Sequence, residues 1–259
     1  MVKSRKRMFL VLAAVFAFIS IIVAGLWPFR FNPSNGARLL SDENGIGFRG
    51  RSIAYTNDLS IGSVLLDDGK ISIEAVLEAE KEPGNYMADI ISINDGGNKW
   101  VLRLSQWRSH IFLRFRQPGT DRVTEMAVRH ALEKGKKKFL AVTSGPDGTA
   151  VYIDGKAVKR VSSFRLSGLS AVSGFTLSNS PEGNNGWQGK VYSLAFFSEP
   201  LKDKDIFAFN EQVSAQYFAG GEITREKQTF GGIYVFSVAN PFTIDLQGGL
   251  TFNQGAMTP

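Results

Sequence analysis

Between Ile46 and about Pro200 the chain is built from short segments in which apolar residues recur at every second position, and turn formers separate those segments. Ile71, Ile73, Ala75 and Leu77 alternate with Ser72, Glu74, Val76 and Glu78; Ile111, Leu113 and Phe115 alternate with His110, Phe112, Arg114 and Arg116. Side chains on an extended strand point alternately to its two faces, so this period of two predicts half-buried strands. Further strands are expected at Ala88–Ile93, Arg122–Val128, Lys138–Ser144, Thr149–Ile153, Val172–Ser178 and Gly189–Phe197. Trp100, Leu102 and Leu104 are expected to share one apolar face. Asn94-Asp95-Gly96-Gly97, Pro146-Asp147-Gly148 and Asp154-Gly155 supply turns. Only 202–214 reads as helical, with Ile206, Phe207 and Phe209 as its apolar stripe. Many short strands without intervening helices predict an all-β antiparallel sandwich over 46–215. After Tyr217 the pattern weakens: Thr229–Ala239 reads as a strand or two, and 216–259 is assigned as a C-terminal tail.

Ahead of this body stands an uncharged run, Met8 to Leu26, whose only polar residue is Ser20. At about 1.5 Å per residue such a helix matches the roughly 30 Å hydrocarbon core of a bilayer. Lys3, Arg5, Lys6 and Arg7 precede it, and the first acidic residue is Asp42. That asymmetry predicts a single-pass anchor over 1–27 with the N-terminus cytoplasmic and the body exported. Trp27 and Phe29 fall at the interface and Pro28 ends the helix. A cleaved signal peptide is the alternative, but signal cores run about 7–15 residues and end at an A-x-A-like site. Residues 28–45, with two prolines and two glycines, read as a juxtamembrane connector.

The formal charge is +6, yet residues 8–259 hold 26 basic against 24 acidic side chains. The excess belongs to the N-terminal tip, and the strongly basic domain that nucleic-acid binding requires is missing. Without cysteine, disulfides, thiolate metal sites and cysteine nucleophiles are excluded. A domain of this size is stable through its core alone.

The strands ISIEAVLEA (71–79) and ADIISIND (88–95), the hairpin KKKFLAVTSGPDGTAVYIDGKAV (136–158) and NNGWQGKVYSLAFFSEPLKDKDI (184–206) together resemble a laminin G-like domain of the concanavalin A-like superfamily. The resemblance covers about 46–210 and implies a jelly-roll sandwich with Trp187 in its core. GLWPFRFNPSNGARLLSDENGIGF (25–48) is similar to the entry into such a domain in bacterial membrane proteins that also carry a VanZ-like region. No later stretch is long and apolar enough to span again, so no VanZ-like part is expected here.

The superfamily includes laminarinase-type glucanases with E-x-D-x-E or E-x-D-x-x-E strands, and retaining glycosidases hold two carboxyl groups about 5–5.5 Å apart. Glu74, Glu78 and Glu80 share a face by parity, but Val76 stands where the aspartate belongs and Ala79 separates the last two, so a solvated strand face is expected. Neither a G-x-S-x-G elbow nor a Walker loop is present, and His110 and His130 read as surface residues. No catalytic residue is assigned.

The resemblance also implies a rim calcium site, for which Asp95, Asn179, Asn184 and Asn185 offer hard oxygen ligands; the same residues suit turn geometry. No other cofactor is expected. For ligand binding, Trp107 in the 105–109 loop is the aromatic expected to be exposed. Arg103, Arg108, Arg114 and Arg116 would form a positive strip if neighbouring strands pair as hairpins, suited to carboxylate or phosphate on an anionic envelope polymer. The residues thus point to a membrane-anchored, non-catalytic module for a cell-envelope glycan or protein. An interaction subunit without a sugar site and a divergent glycosidase are the alternatives.

Overall fold

The computed structural model describes residues 12–21, 35–40, 45–50, 52–56, 69–95, 99–117, 119–167, 169, 172–219, 232–236 and 251–252. The chain divides into two compact units, Met1–Pro33 and Ser34–Pro259. In the first, helix α1 covers 12–21 with exposed side chains. No helix among the described residues is long and apolar enough to cross a membrane. The remaining parts of the 8–26 run, and Trp27 to Phe29, lie outside the described residues.

The second unit is a two-sheet sandwich. Its strands are β1 (Arg38–Leu39), β2 (Ile46–Phe48), β3 (Ala54–Thr56), β4 (Ile71–Ala79), β5 (Ala88–Asp95), β6 (Trp100–Trp107), β7 (His110–Arg116), β8 (Val123–Val128), β9 (Lys137–Gly145), β10 (Gly148–Ile153), β11 (Lys156–Val161), β12 (Val172–Leu177), β13 (Gly189–Phe197), β14 (Gly232–Phe236) and β15 (Thr251–Phe252). One sheet runs β1-β2-β13-β4-β9-β10-β11, with β14 also on β13, and the other runs β15-β3-β12-β5-β6-β7-β8. All named strand pairs are antiparallel. Thus β1 carries pairing into the expected connector, and β14 and β15 carry it into the expected tail.

Alternation drives the layering. Ile71, Ile73, Ala75 and Leu77 from β4 meet Ile93, Leu102, Leu104, Leu113 and Phe115 in one core between the sheets. The Asp154-Gly155 turn joins β10 to β11 with φ of 50° and 75°, a left-handed pair that the Asp-Gly dipeptide accepts. The Asp154 carboxylate then accepts a hydrogen bond from the Phe139 amide (3.1 Å) and pairs with Lys138 Nζ (2.8 Å), pinning the hairpin to β9.

Helix α2 (Asp203–Ala219) is five residues longer at its C-terminal end than its apolar stripe predicts. Ile206 is buried with Val76, Phe139, Tyr152 and Tyr192 on the outer face of the eight-stranded sheet, and Phe209 packs beside them. Phe207 is 53% exposed, so the stripe is narrower than expected. The first turn carries Asp203 and Asp205, favourable at the positive end of the helix dipole. Tyr152 Oη donates to Asp203 Oδ1 (2.7 Å) and Arg160 Nη2 to Oδ2 (2.6 Å), and these hydrogen bonds hold the Asp203 carboxyl below its ordinary value. A depressed carboxyl contributes stability above its unfolded value and loses it as pH falls through the folded value. Tyr152→Phe should therefore cost about 1 kcal/mol at neutral pH, a difference that closes as the pH is lowered through the acidic range; urea melts at several pH values measure it. A cost that does not change with pH would contradict this coupling.

Candidate functional site: the outer face of the seven-stranded sheet

Strict alternation would put Asp89 with Ile91 and Ile93, and Trp100 with Leu102 and Leu104, all facing the core. Two bulges change this. Pairing shifts between Asp89/Ile91 and between Ile93/Asn94, so that Ile90 and Val101 are the extra residues. An extra residue flips everything beyond it to the other face. Ile90, Ile91 and Val101 all enter the core, whereas Asp89, Ser92, Asn94, Trp100, Arg103 and Ser105 share the outer face. The expected placing of Trp100 on the apolar face is corrected accordingly. Across the β6–β7 pairing, Arg103 stands opposite Arg114 and Ser105 opposite Phe112, so alternation brings Arg114 and Arg116 to the same face.

Asp89 is the centre of what results. Its side chain is fully buried, and its Oδ1 accepts from Ser105 Oγ (2.6 Å) and Arg114 Nη2 (3.4 Å). Its Oδ2 lies 3.3 Å from Arg103 Nη1 and accepts from Asn185 Nδ2 (3.2 Å). Burial raises the Asp89 carboxyl above its ordinary value, against the pull of Arg103, Ser105, Arg114 and Asn185. Burial likewise lowers the Arg103 guanidinium, opposed by Asp89 and Glu182. Arg103 Nη2 also binds Glu182 Oε2 at 3.1 Å, and the Glu182 side chain is 50% exposed. Burial works to raise the Glu182 carboxyl, but bonds from its own amide and Ser180, together with the Arg103 charge, leave it below its ordinary value.

Trp100 lies under three guanidinium groups, with the carbons of Arg116, Arg103 and Arg114 at 4.3, 4.8 and 5.6 Å from its ring. Its exposure is 9%, so the indole holds the arginines by cation–π attraction and is closed to a sugar ring. The Nε atoms of Arg103, Arg114 and Arg116 are buried with no hydrogen-bond partner.

Trp107 closes β6 and does not sit in a loop; the turn is Arg108-Ser109 alone. It is half-buried, 6.3 Å from Phe112 and 5.9 Å from His110 between ring centroids. The exposed Arg108 stacks on it at 4.8 Å, away from the other arginines. His110 and His130 meet edge to face at 5.0 Å, and His130 is exposed. Beneath, Trp187 is completely buried, as the resemblance implied. Its Nε1 donates to Gln106 Oε1 (2.6 Å), and Gln106 Nε2 donates to the Arg108 carbonyl (2.6 Å), tying the core to the turn next to Trp107.

The oxygen-rich residues divide. Asn179 Oδ1 accepts from the amides of Ser180 (2.9 Å) and Asn185 (3.0 Å), and Asn184 Oδ1 accepts from Ser180 Oγ (2.8 Å). These three asparagines shape the loop from β12 to β13. Asp95 ends β5 six residues from Asp89, about 20 Å along the strand, and its Oδ1 accepts from the Lys99 amide. Among the described residues no group of three or more His, Cys, Asp or Glu is placed to hold a metal. The glutamates of β4 are not a solvated row: Glu74 is buried, and Glu78 Oε2 accepts from Tyr192 Oη at 2.7 Å.

Of the expected ligand-binding residues, the structure therefore brings Arg103, Arg114 and Arg116 together and sets Trp107 and Arg108 at the far end of β6. Asp89, Trp100, Ser105 and Glu182 join them without having been singled out.

No curated protein matches the sequence. Among solved structures, the chain is similar to the CBM40 of the Ruminococcus gnavus IT-sialidase bound to alpha2,3 sialyllactose, at TM-score 0.52 and 13% identity, covering 65% of this chain and 97% of that one. It is also similar to the receptor binding domain of a botulinum neurotoxin C/D mosaic serotype (TM-score 0.53, 16% identity, 69% of this chain and 45% of that one). A third is the binding domain of botulinum neurotoxin DC in complex with rat synaptotagmin II (0.52, 14%, 70% and 46%). The chain thus spans less than half of each toxin domain's length. The family model for the concanavalin A-like lectin/glucanases superfamily matches residues 54–207, from β3 into the first turns of α2, and the chain belongs to that superfamily.

Proposed function

We propose that this protein is a non-catalytic recognition module, held at a membrane by its 8–26 segment and presenting its sandwich outside the cytoplasm to a cell-envelope glycan or protein. The observation that carries the reading is the outer face of the seven-stranded sheet. Arg103, Arg114 and Arg116 are gathered there over Trp100, and the buried Asp89 fixes two of them in place. Buried charge of this kind is costly for folding alone, so its presence on an outer sheet face favours a role in binding. Structures of the same fold hold sialyllactose in one case and synaptotagmin II in another, which supports a sugar or a protein as occupant. The basic tip and the uncharged run support the anchor and its direction. For calcium no residue set is carried forward, since Asp95 stands apart from the three asparagines.

The test is binding of the full-length chain to an array of envelope polysaccharides and to solubilised envelope proteins. Trp107→Ala, or Arg114 and Arg116 changed together to alanine, should weaken the interaction at least about tenfold, with retention of the folded spectrum as control. Indifference of every captured ligand to these changes would move the binding surface elsewhere. Turnover of β-glucan dependent on Glu74, Glu78 or Glu80 would replace the reading with a glycosidase. Release of the chain from membranes by alkaline carbonate would remove the anchor.

A further inference from the structure

The arginines of this face differ in what their charge already does. Arg103 is 7% exposed and engages two carboxylates, Asp89 and Glu182. Arg114 is 19% exposed and shares Asp89. Arg116 is half-buried, lies nearest the Trp100 ring at 4.3 Å, and makes no ion pair with a carboxylate among the described residues. Asp89 and Glu182 thus pair with two of the three guanidinium groups, and Arg116, at the β7 end of the cluster, is the one without an ion pair among the described residues. Stacking on an indole covers a guanidinium's face and leaves its edge, which carries the paired N–H donors. Glu125, opposite Arg114 on β8 and exposed, stands on the same flank and penalises a second negative charge.

We infer that Arg116, steadied by Trp100 and flanked by Arg114, is a subsite for one carboxylate of an acidic sugar residue, with the neighbouring sugar lying toward Phe112 and Trp107. This rests on the recognition reading above and names its ligand class. A single planar anion matches one guanidinium edge that makes no ion pair; a phosphate monoester brings a second charge against Glu125. Phe112 lies four residues from Arg116 on the same strand face, about 13 Å, which is the span of a short oligosaccharide. Arg103 takes no part in contacting the ligand: with Asp89 it holds Arg114 in position.

The experiment immobilises the full-length chain and titrates polygalacturonate, its methyl ester, dextran sulfate and neutral dextran at fixed salt. Polygalacturonate should bind and its methyl ester should bind at least about tenfold more weakly, the loss expected for one charged hydrogen-bonded pair. Arg116→Gln should reproduce that loss on the wild-type ester's scale, and Arg116→Lys should fall between, since it keeps the charge without the fork. The wild-type comparison of acid and ester needs no variant, so a folding defect in Arg116→Gln leaves the test intact. Equal binding of acid and ester, or stronger binding of dextran sulfate, overturns the carboxylate subsite and leaves the recognition module standing. Binding of protein alone and of no polymer overturns the subsite while favouring a protein occupant. Capture of neither sugar nor protein overturns both.

Discussion

Asp89→Ala should destabilise the sandwich by about 3–5 kcal/mol. The carboxylate is fully buried and is the shared counter-ion of Arg103 and Arg114, which face each other directly across β6 and β7. Deleting it leaves two guanidinium groups on directly opposed residues, 7% and 19% exposed, without their shared carboxylate. Ser105 Oγ and Asn185 Nδ2 lose their acceptor as well. The comparison that separates charge from packing is Asp89→Leu combined with Arg103→Met and Arg114→Met. Removing all three charges together should recover most of the loss, because the desolvation cost disappears with them. The pH dependence has a definite sign. Burial sets the Asp89 carboxyl above its ordinary value, so its contribution is largest below the unfolded carboxylate value and declines as pH rises through the raised one. Asp89→Asn should abolish that part of the slope. Urea unfolding followed by tryptophan fluorescence reads all of these, since Trp100 and Trp187 are both buried. A loss below about 1 kcal/mol for Asp89→Ala would mean that water reaches the arginines, and the site as described would be wrong.

The same residues show what was legible in the sequence. Where alternation is unbroken, faces read off directly: the apolar residues of Ile71 to Leu77 and of Ile111 to Phe115 point to the core as expected. The gathering of Arg103, Arg114 and Arg116 was legible for the same reason, because the pairing of β6 with β7 fixes their register, whereas Arg108, expected in the same strip, sits in the turn and stacks on Trp107. Asp89 and Trp100 were not, because each lies just beyond a bulge. Parity assigns both to the core, and only the register shifts at Ile90 and Val101 reveal the opposite. A signal was present: an aspartate at an apparent core position of ADIISIND is an expensive placement, and it is resolved most cheaply by a bulge. Glu74 followed parity correctly but was expected in solvent. Burial on that outer face depends on what packs back over the sheet, which a local pattern does not encode. β1, β2 and β3 are two or three residues long, too short to display a period.

Gly189→Ala should be nearly as damaging as removal of the tryptophan two residues before it. A Cβ on Gly189 would stand 2.3 Å from Trp187 Cη2, 2.5 Å from Cζ2 and 2.4 Å from the Glu78 carbonyl oxygen. The first two contacts belong to a ring wedged in the core and the third to the backbone of β4, so nothing nearby yields cheaply. This close approach, not turn geometry, is why glycine follows in Trp187-Gln188-Gly189. Overpacking of a closed core costs about 1–3 kcal/mol and more where backbone must move, and the upper end is expected here. Trp187→Ala should cost about 3–5 kcal/mol through the cavity alone. Trp187→Phe keeps an aromatic ring but removes the N–H: it leaves Gln106 Oε1 buried without its donor, worth about 1–3 kcal/mol, on top of the packing lost with the smaller ring. Because Gln106 also holds the Arg108 carbonyl, that variant should loosen the turn beside Trp107 and weaken ligand binding beyond what its stability loss explains. The double change Trp187→Ala with Gly189→Ala decides the cause. If the ring is the obstacle, the second substitution adds little once the ring has gone; if the Glu78 carbonyl is, the costs add. Full additivity would mean that the glycine is required by β4 and not by Trp187. Wild-type stability in Gly189→Ala alone would mean that β13 and β4 do not approach as closely as described.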